Sequence, residues 1–218
     1  MQAIKFMLVD ILKSKFQIMV LFFISIVQLW LMSMNSSPLN AVYYMFFCAV
    51  IVSIQPFLQE QTAEVGFINM LPGTRTNRVL GRYLFALFNN IYSLIISLIN
   101  LSIYSLFSHT TPKHVWEGIL SCISISLTFC SLQYILFYAL GKMKSQQLAG
   151  FIMIIPGFVM FFGVNLLIVF MSTHGMIAPE WLSNHLNIIA IVLFLFSIVS
   201  FGLGIKASSI IAIKKDYI

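Results

Sequence analysis

Residues 186–205, LNIIAIVLFLFSIVSFGLGI, form a stretch without a single charged side chain. About 20 helical residues cross the hydrocarbon core of a bilayer. Backbone groups in lipid must be hydrogen-bonded within the protein, which leaves only a helix or a closed barrel. Because the stretch is continuously apolar and does not alternate in polarity, it predicts a membrane-spanning helix.

Further stretches of about 19 to 25 residues have the same character and a sufficient length to span a bilayer. They cover residues 16–34, 39–57, 83–107, 118–140 and 147–171. Polar breaks such as Asn35-Ser36-Ser37-Pro38 separate them. The sequence therefore predicts an all-α membrane protein with six transmembrane helices, in which residues 16–213 form the transmembrane domain.

The composition supports lipid as the main solvent of the protein. Of 218 residues, 60% are hydrophobic and 8% are charged, whereas about a quarter of the residues of a soluble domain are charged. The net charge of +6 does not indicate a nucleic-acid partner. No stretch interleaves basic and aromatic residues, and the charges lie between the hydrophobic stretches.

Lysine and arginine are concentrated on one side of the predicted membrane. Eleven of them fall in the N-terminal segment, the second and fourth connections and the C-terminal tail, whereas the other connections contain only Lys113. The positive-inside rule then places both termini in the cytoplasm. Residues 206–218 form a basic cytoplasmic tail in this topology.

Residues 1–15 predict an amphipathic helix rather than a cleaved signal peptide. An apolar stripe recurs at helical spacing, and the charged residues Lys5, Asp10 and Lys13 lie off it. The stripe consists of Ile4, Met7, Leu8, Ile11 and Leu12. The pattern indicates a helix in the cytoplasmic interface of the membrane, and the alternative is a helical extension of the first span.

The connection at residues 58–82 is the longest predicted cytoplasmic segment. It begins acidic, continues apolar and breaks at Pro72-Gly73, after which Thr74 can cap a helix that leads into the third span. Arg75, Arg78 and Arg82 then line one helix face. Their guanidinium groups suit lipid phosphates or the carboxylates of a partner. Lipid anchoring accounts for the arginines alone, but the apolar stretch before them favours a docking surface for a cytoplasmic protein.

Two short segments resemble the small permease subunits of type 2 ABC exporters. These are Leu71-Pro72-Gly73-Thr74-Arg75 and Val79-Leu80-Gly81-Arg82-Tyr83-Leu84. In that family a Leu-Pro-x-Ser/Thr-Arg element precedes the third span, and a Lys/Arg-Tyr pair begins it. The resemblance covers residues 71–84 as a motif and the whole chain as an architecture. Permeases of this size are similar to bacterial proteins that export antimicrobial or cytolytic peptides or confer bacteriocin immunity.

The resemblance implies partners and roles for particular residues. Residues 1–15 would be an elbow helix, and residues 60–71 would hold the coupling helix that fits a cleft of a cytoplasmic ABC ATPase. A second permease copy or a homologous permease would face this one in the bacterial cytoplasmic membrane, and ATP and Mg would be bound by the ATPase. The candidate coupling residues are Glu60, Glu64, Ile68, Leu71, Arg75, Arg78 and Arg82.

The chain has no chemistry of its own that the sequence reveals. It lacks a GxxxxGK[ST] loop for nucleotide phosphates, and its non-membrane segments are too short for an ATPase domain. No Asp, Glu, Lys or Arg lies in the middle of a predicted span, which argues against an ion-coupled carrier or an intramembrane enzyme. The four histidines (His109, His114, His174 and His185) fall in the outer connections and lack the spacing of metal ligands. We therefore expect no cofactor, no metal and no enzymatic activity in this chain.

Neutral polar residues do occur in the predicted spans. They are Gln28, Asn89, Asn90, Asn100, Gln133 and Asn165. The general interpretation is hydrogen bonding between helices, at about 1 kcal/mol each. Asn89, Asn90 and Asn100 follow the arginine face and are the candidates to line a translocation path. Pro156 predicts a kink in the fifth span.

Two further segments carry structural predictions. Residues 179–182 predict a short helix with Pro179 in its first turn, which the resemblance implies is a lid-like element. The alternative is a simple loop of the aromatic belt, with Trp181 at the outer interface. Cys48, Cys122 and Cys130 fall inside spans and predict small apolar packing residues rather than disulfides.

The favoured function is a transmembrane permease subunit of an ATP-driven exporter of amphipathic peptides or similar hydrophobic cargo. The alternatives are a non-transporting immunity or sequestration subunit and a secondary carrier.

Overall fold

The computed structural model describes residues 2–34, 39–58, 73–108, 114–140, 148, 151 and 179–214. These residues contain helices and no strand, as the predicted fold class requires. The helices are α1 (Gln2–Lys13), α2 (Lys15–Met34), α3 (Leu39–Leu58), α4 (Arg75–Ser108), α5 (Val115–Leu140) and α6 (Pro179–Lys214). The predicted fifth span with Pro156, the connections around it and most of the second connection lie outside the described residues.

Among the described residues, three helices are long and apolar enough to cross a membrane. They are α4, α5 and the His185–Lys214 part of α6, with mean hydropathies of 1.7, 1.8 and 2.8 in their most apolar windows. The apolar parts of α2 and α3, Lys15–Trp30 and Val42–Leu58, are shorter. The described helices fit a multi-pass membrane protein, and the count of six spans stays a prediction.

The helices extend beyond the hydrophobic stretches that predict them. Helix α4 begins at Arg75, eight residues before the predicted third span, and its 34 residues make a rod of about 51 Å. Helix α6 runs without a break from Pro179 to Lys214. The prediction of a separate short helix at residues 179–182 is therefore wrong. Pro179 does begin a helix, but this helix continues into the last predicted span.

Helix α4 is the centre of the described bundle, because it contacts each of the other five helices. Helices α5 and α6 form the most extensive pair. Small buried residues line the inner face of α6, namely Ala190, Ser197, Gly204, Ser208 and Ala212. A Cβ atom at Gly204 would overlap the hydroxyl of Ser131 on α5. Small residues of this kind let membrane helices pack closely.

Helix α1 packs against the first turns of α4. Ala3, Phe6 and Asp10 form its buried face, whereas Ile4, Leu8 and Leu12 of the predicted apolar stripe are exposed. Backbone hydrogen bonds from Ser14 N to Asp10 O and from Ile18 N to Ser14 O, both 3.0 Å, continue the helical pattern into α2. This continuity is expected if α1 is a helical extension of the first span. The position of α1 in the membrane interface stays a prediction.

Candidate functional site

The beginning of α4 is fixed by a side-chain cap. The N–H group of Asn77 donates to Oγ1 of Thr74 at 3.3 Å, and the N–H group of Arg78 donates to the carbonyl of Thr74 at 3.2 Å. Thr74 thus satisfies amides that the first turn of a helix leaves unpaired. The predicted cap at Thr74 is confirmed.

Arg75, Arg78 and Arg82 line one shallow groove, as their spacing predicts. The other lining residues are Phe57, Val79, Tyr138 and Ala212. We call this end of the bundle, where α3, α5 and α6 end and α4 begins, the arginine end. Exposure falls along the row, since Arg75 is exposed, Arg78 is half-buried and Arg82 is 3% exposed.

Two of the arginines join α4 to other helices. The guanidinium carbon of Arg82 lies 4.0 Å from the ring centroid of Phe57, which is in the last turn of α3. A desolvated cation–π contact of this kind contributes about 2 kcal/mol. Arg75 donates from Nη1 to the carbonyl of Ile213 in the last turn of α6, at 3.3 Å. That carbonyl belongs to the negative end of the helix dipole.

An aromatic layer lies next to the arginine groove and connects four helices. It consists of Phe57, Tyr83, Tyr134, Phe137, Tyr138 and Phe201. The ring of Phe57 stacks on Phe137 with centroids 4.8 Å apart, and Tyr83 meets Tyr134 edge to face at 5.0 Å. Offset and edge-to-face pairs are the favourable aromatic geometries.

The hydroxyl groups of the aromatic layer add hydrogen bonds between helices. The hydroxyl of Tyr83 lies 2.9 Å from Oγ of Ser208 on α6 and 3.5 Å from the carbonyl of Ser131 on α5. The hydroxyl of Tyr134 donates to the carbonyl of Ser53 on α3 at 2.6 Å. Arg82 and Tyr83 are adjacent in sequence. Together they connect one position on α4 to α3, α5 and α6.

The candidate path residues are buried inside the bundle. Asn100 donates from Nδ2 to Oε1 of Gln28 at 2.8 Å and to the carbonyl of Ser25 at 3.0 Å. Asn89 donates to Oγ of Ser53 at 3.2 Å. Asn90 donates to the carbonyl of Ala86 in its own helix at 2.9 Å. Asn89 and Asn100 thus make hydrogen bonds between helices, which is the general role of polar residues in membrane spans. A translocation path along these residues stays a prediction.

Four of the candidate coupling residues, Glu60, Glu64, Ile68 and Leu71, lie outside the described residues. Sequence reasoning missed the aromatic layer, although Tyr134, Phe137 and Tyr138 recur at helical spacing near the end of a predicted span. The three cysteines are free, as predicted. Within the described ranges no group of three or more His, Cys, Asp or Glu side chains is placed to hold a metal ion.

The family comparison matches most of the chain. Residues 6–215 match the family model described as "ABC-2 family transporter protein". No curated protein and no solved structure matches the chain.

Proposed function

This chain belongs to the ABC-2 transporter family, and on that premise we propose that it is the permease subunit of an ATP-driven exporter. The family consists of membrane components of ABC transporters and implies an ATPase partner. We propose a cytoplasmic ABC ATPase that binds ATP and Mg, and a second copy or a homologous permease beside this chain. The proposed location is the bacterial cytoplasmic membrane, with both termini in the cytoplasm.

The observation that carries the coupling proposal is the position of the two helix ends that the second connection joins. Helix α3 ends at Leu58, and the described chain resumes at Gly73, just before α4 begins at Arg75. Arg82 lies against Phe57 across these two helix ends. A partner that moves the connection would therefore move the end of α3 and the beginning of α4 together.

The exposure of the arginines divides their proposed roles. Arg75 and Arg78 are accessible enough to meet carboxylates of the ATPase, whereas buried Arg82 transmits movement to Phe57. We propose that Glu60, Glu64, Ile68 and Leu71 of the connection contact the ATPase directly. The proposed cargo, amphipathic peptides or similar hydrophobic molecules, rests on the resemblance to small peptide exporters.

Site-directed crosslinking tests the coupling proposal. Thr76 is exposed at the arginine end. Trp116 is 67% exposed in the first turn of α5, about 33 Å along that helix from Tyr138. Thr76→Cys and Trp116→Cys variants, each carrying a thiol-reactive photo-crosslinker in native membranes, form a matched pair. We expect an ABC ATPase, identified by mass spectrometry, in the adducts of the Thr76→Cys variant only. The same crosslinker should also be placed in the connection at residues 59–72. The proposal would be contradicted if neither position 76 nor the connection gave an ATPase adduct.

Transport itself needs a second measurement. Inverted vesicles that contain the complex should accumulate a fluorescent amphipathic peptide when ATP is supplied, and should lose this uptake when the ATPase is inactivated. Normal assembly with no ATP-dependent uptake of any peptide tested would favour an immunity or sequestration role instead.

A further inference from the structure

A second group of polar side chains lies one helical turn beyond the aromatic layer, inside the bundle. Ser53 is four residues from Phe57 on α3, and Cys130 is four residues from Tyr134 on α5. We call the group the interior polar layer. It consists of Ser53, Asn89, Asn90, Ser93, Ser126 and Cys130, and each of these residues is at most 3% exposed.

Four oxygen atoms of this layer have no hydrogen-bond partner in the described structure. They are Oδ1 of Asn89, Oδ1 of Asn90, Oγ of Ser93 and Oγ of Ser126. Leaving one buried polar atom unsatisfied costs about 1–3 kcal/mol, so four in one layer are a large cost for a marginally stable fold.

The other polar group on α4 makes a useful contrast. Gln28, Ser97 and Asn100 are as deeply buried, yet they bond to one another and to the carbonyl of Ser25. None of these three side chains has a buried atom without a partner. On α4, the unsatisfied oxygens are thus confined to the interior polar layer.

The members of the layer converge from three helices. The side chains of Ser53, Asn90 and Ser126 face the sulfur of Cys130, and Asn89 contacts Ser53. Ser93 lies one helical turn from both asparagines. A thiol is only a weak hydrogen-bonding group, so its contact with Ser126 does little to satisfy that hydroxyl.

We propose that the interior polar layer binds a small group of ordered water molecules within one chain. The amide oxygens of Asn89 and Asn90 can accept hydrogen bonds, and the hydroxyls of Ser93 and Ser126 can donate or accept them. Water, which donates two hydrogen bonds and accepts two, can satisfy both kinds of group. Buried waters in proteins make two to four such bonds to otherwise unsatisfied groups. The layer holds no charged side chain, so neutral water suits it better than an ion.

Radiolytic hydroxyl-radical footprinting of the unmodified protein tests the assignment, because a bound water generates radicals beside the residues that it touches. The two buried thiols form an internal comparison. Cys130 is 0% exposed in the polar layer, and Cys122 is 1% exposed in an apolar cluster with Met32, Phe46 and Leu101. Thiols oxidise readily where oxidant reaches them. We expect Cys130 to be oxidised several-fold faster than Cys122, and equally slow oxidation of both would overturn the proposal.

Two serines on α5 provide matched variants. Ser126 has the unsatisfied hydroxyl, whereas the equally buried Ser124 donates to the carbonyl of Leu120 at 2.6 Å. We expect Ser126→Ala to slow the oxidation of Cys130 and Ser124→Ala to leave it unchanged. The comparison of the two thiols in the unmodified chain remains decisive if a variant does not fold. Replacing sodium with choline should not change the result, and a change would overturn water in favour of a bound cation.

Discussion

Gly81 determines how closely α1 approaches α4. A Cβ atom at this position would lie 2.6 Å from Cβ of Phe6, 2.9 Å from the carbonyl oxygen of Ala3 and 3.2 Å from the amide nitrogen of Met7. Two of these three atoms belong to the backbone of α1, so no side-chain rotation relieves the overlap. Any side chain at position 81 requires α1 to move.

We therefore expect Gly81→Ala to lower the free energy of unfolding by about 1–3 kcal/mol, the usual cost of overpacking. Gly202→Ala is the matched control, because a Cβ there has no neighbour within 4 Å. In that position alanine should be neutral or should raise stability by up to about 1 kcal/mol. Denaturant unfolding in detergent micelles measures both variants. Equal stability of the two would contradict the close contact.

Local features of the candidate site could be predicted from the sequence, but its long-range contacts could not. The cap at Thr74 and the common face of the three arginines follow from spacing within one helix. The contact between Arg82 and Phe57 depends on which helix end packs beside α4, and no spacing encodes this. Asp10 illustrates the same limit. Its position off the apolar stripe gives no sign that packing against other helices buries it to 6% exposure.

At the scale of helices, α4 holds the bundle together through polar contacts as well as apolar ones. The Gln28–Asn100 hydrogen bond joins α2 to α4 at 2.8 Å, and Gln28 donates further to Oγ of Ser97 at 3.3 Å. One apolar cluster that includes Leu21 and Phe85 packs the same two helices. A hydrogen bond requires a particular geometry whereas apolar packing does not, so this contact restricts how α2 and α4 can be placed against each other.

A double-mutant cycle measures this contact. Gln28→Leu and Asn100→Leu should each destabilise the protein, and the double variant should be less destabilised than the sum by about 1 kcal/mol. Asn90→Leu is the comparison, because Asn90 is ten residues away and bonds within its own helix. It should combine additively with Gln28→Leu. Additivity in both pairs would show that the Gln28–Asn100 bond contributes nothing.

Hydrophobic stretches predicted the positions of the helices better than their ends. The stretches at residues 16–34 and 39–57 differ from α2 and α3 by one residue at most. Those at residues 83–107 and 186–205 are shorter than α4 and α6. Hydropathy marks the part of a helix that suits lipid, whereas backbone hydrogen bonding continues through polar residues such as Arg75 and Lys206.

For the whole molecule, the outer surface of the described bundle is mostly apolar. Phe22 and Phe23 on α2, and Phe196, Val199 and Leu203 on α6, are more than half exposed. In the most apolar stretch of α6, within His185–Lys214, only 17% of the residues are buried inside the bundle. Soluble proteins rarely expose contiguous apolar surface of this kind, so the surface requires lipid or another membrane chain around it. The composition alone predicts a membrane protein, because the hydrophobic and charged fractions can be read without knowing which residues are in contact.

The orientation of the molecule is open to direct measurement. If the arginine end faces the cytoplasm, a membrane-impermeant maleimide should label the Trp116→Cys variant in intact cells and the Thr76→Cys variant only in inverted vesicles. The charge asymmetry of the connections is the physical reason. The native cysteines are at least partly buried, and the unmodified protein serves as the blank. Labelling of the Thr76→Cys variant in intact cells would reverse the topology.

The contact between α1 and α4 also constrains the order of events during synthesis. The ribosome makes the buried face of α1 about 70 to 80 residues before it makes Gly81. At about 5–20 residues per second this gap lasts roughly 4 to 16 s. Throughout that time Phe6 and Asp10 have no α4 to pack against. The buried face of α1 is therefore covered by α4 only after the third hydrophobic stretch has been made and inserted.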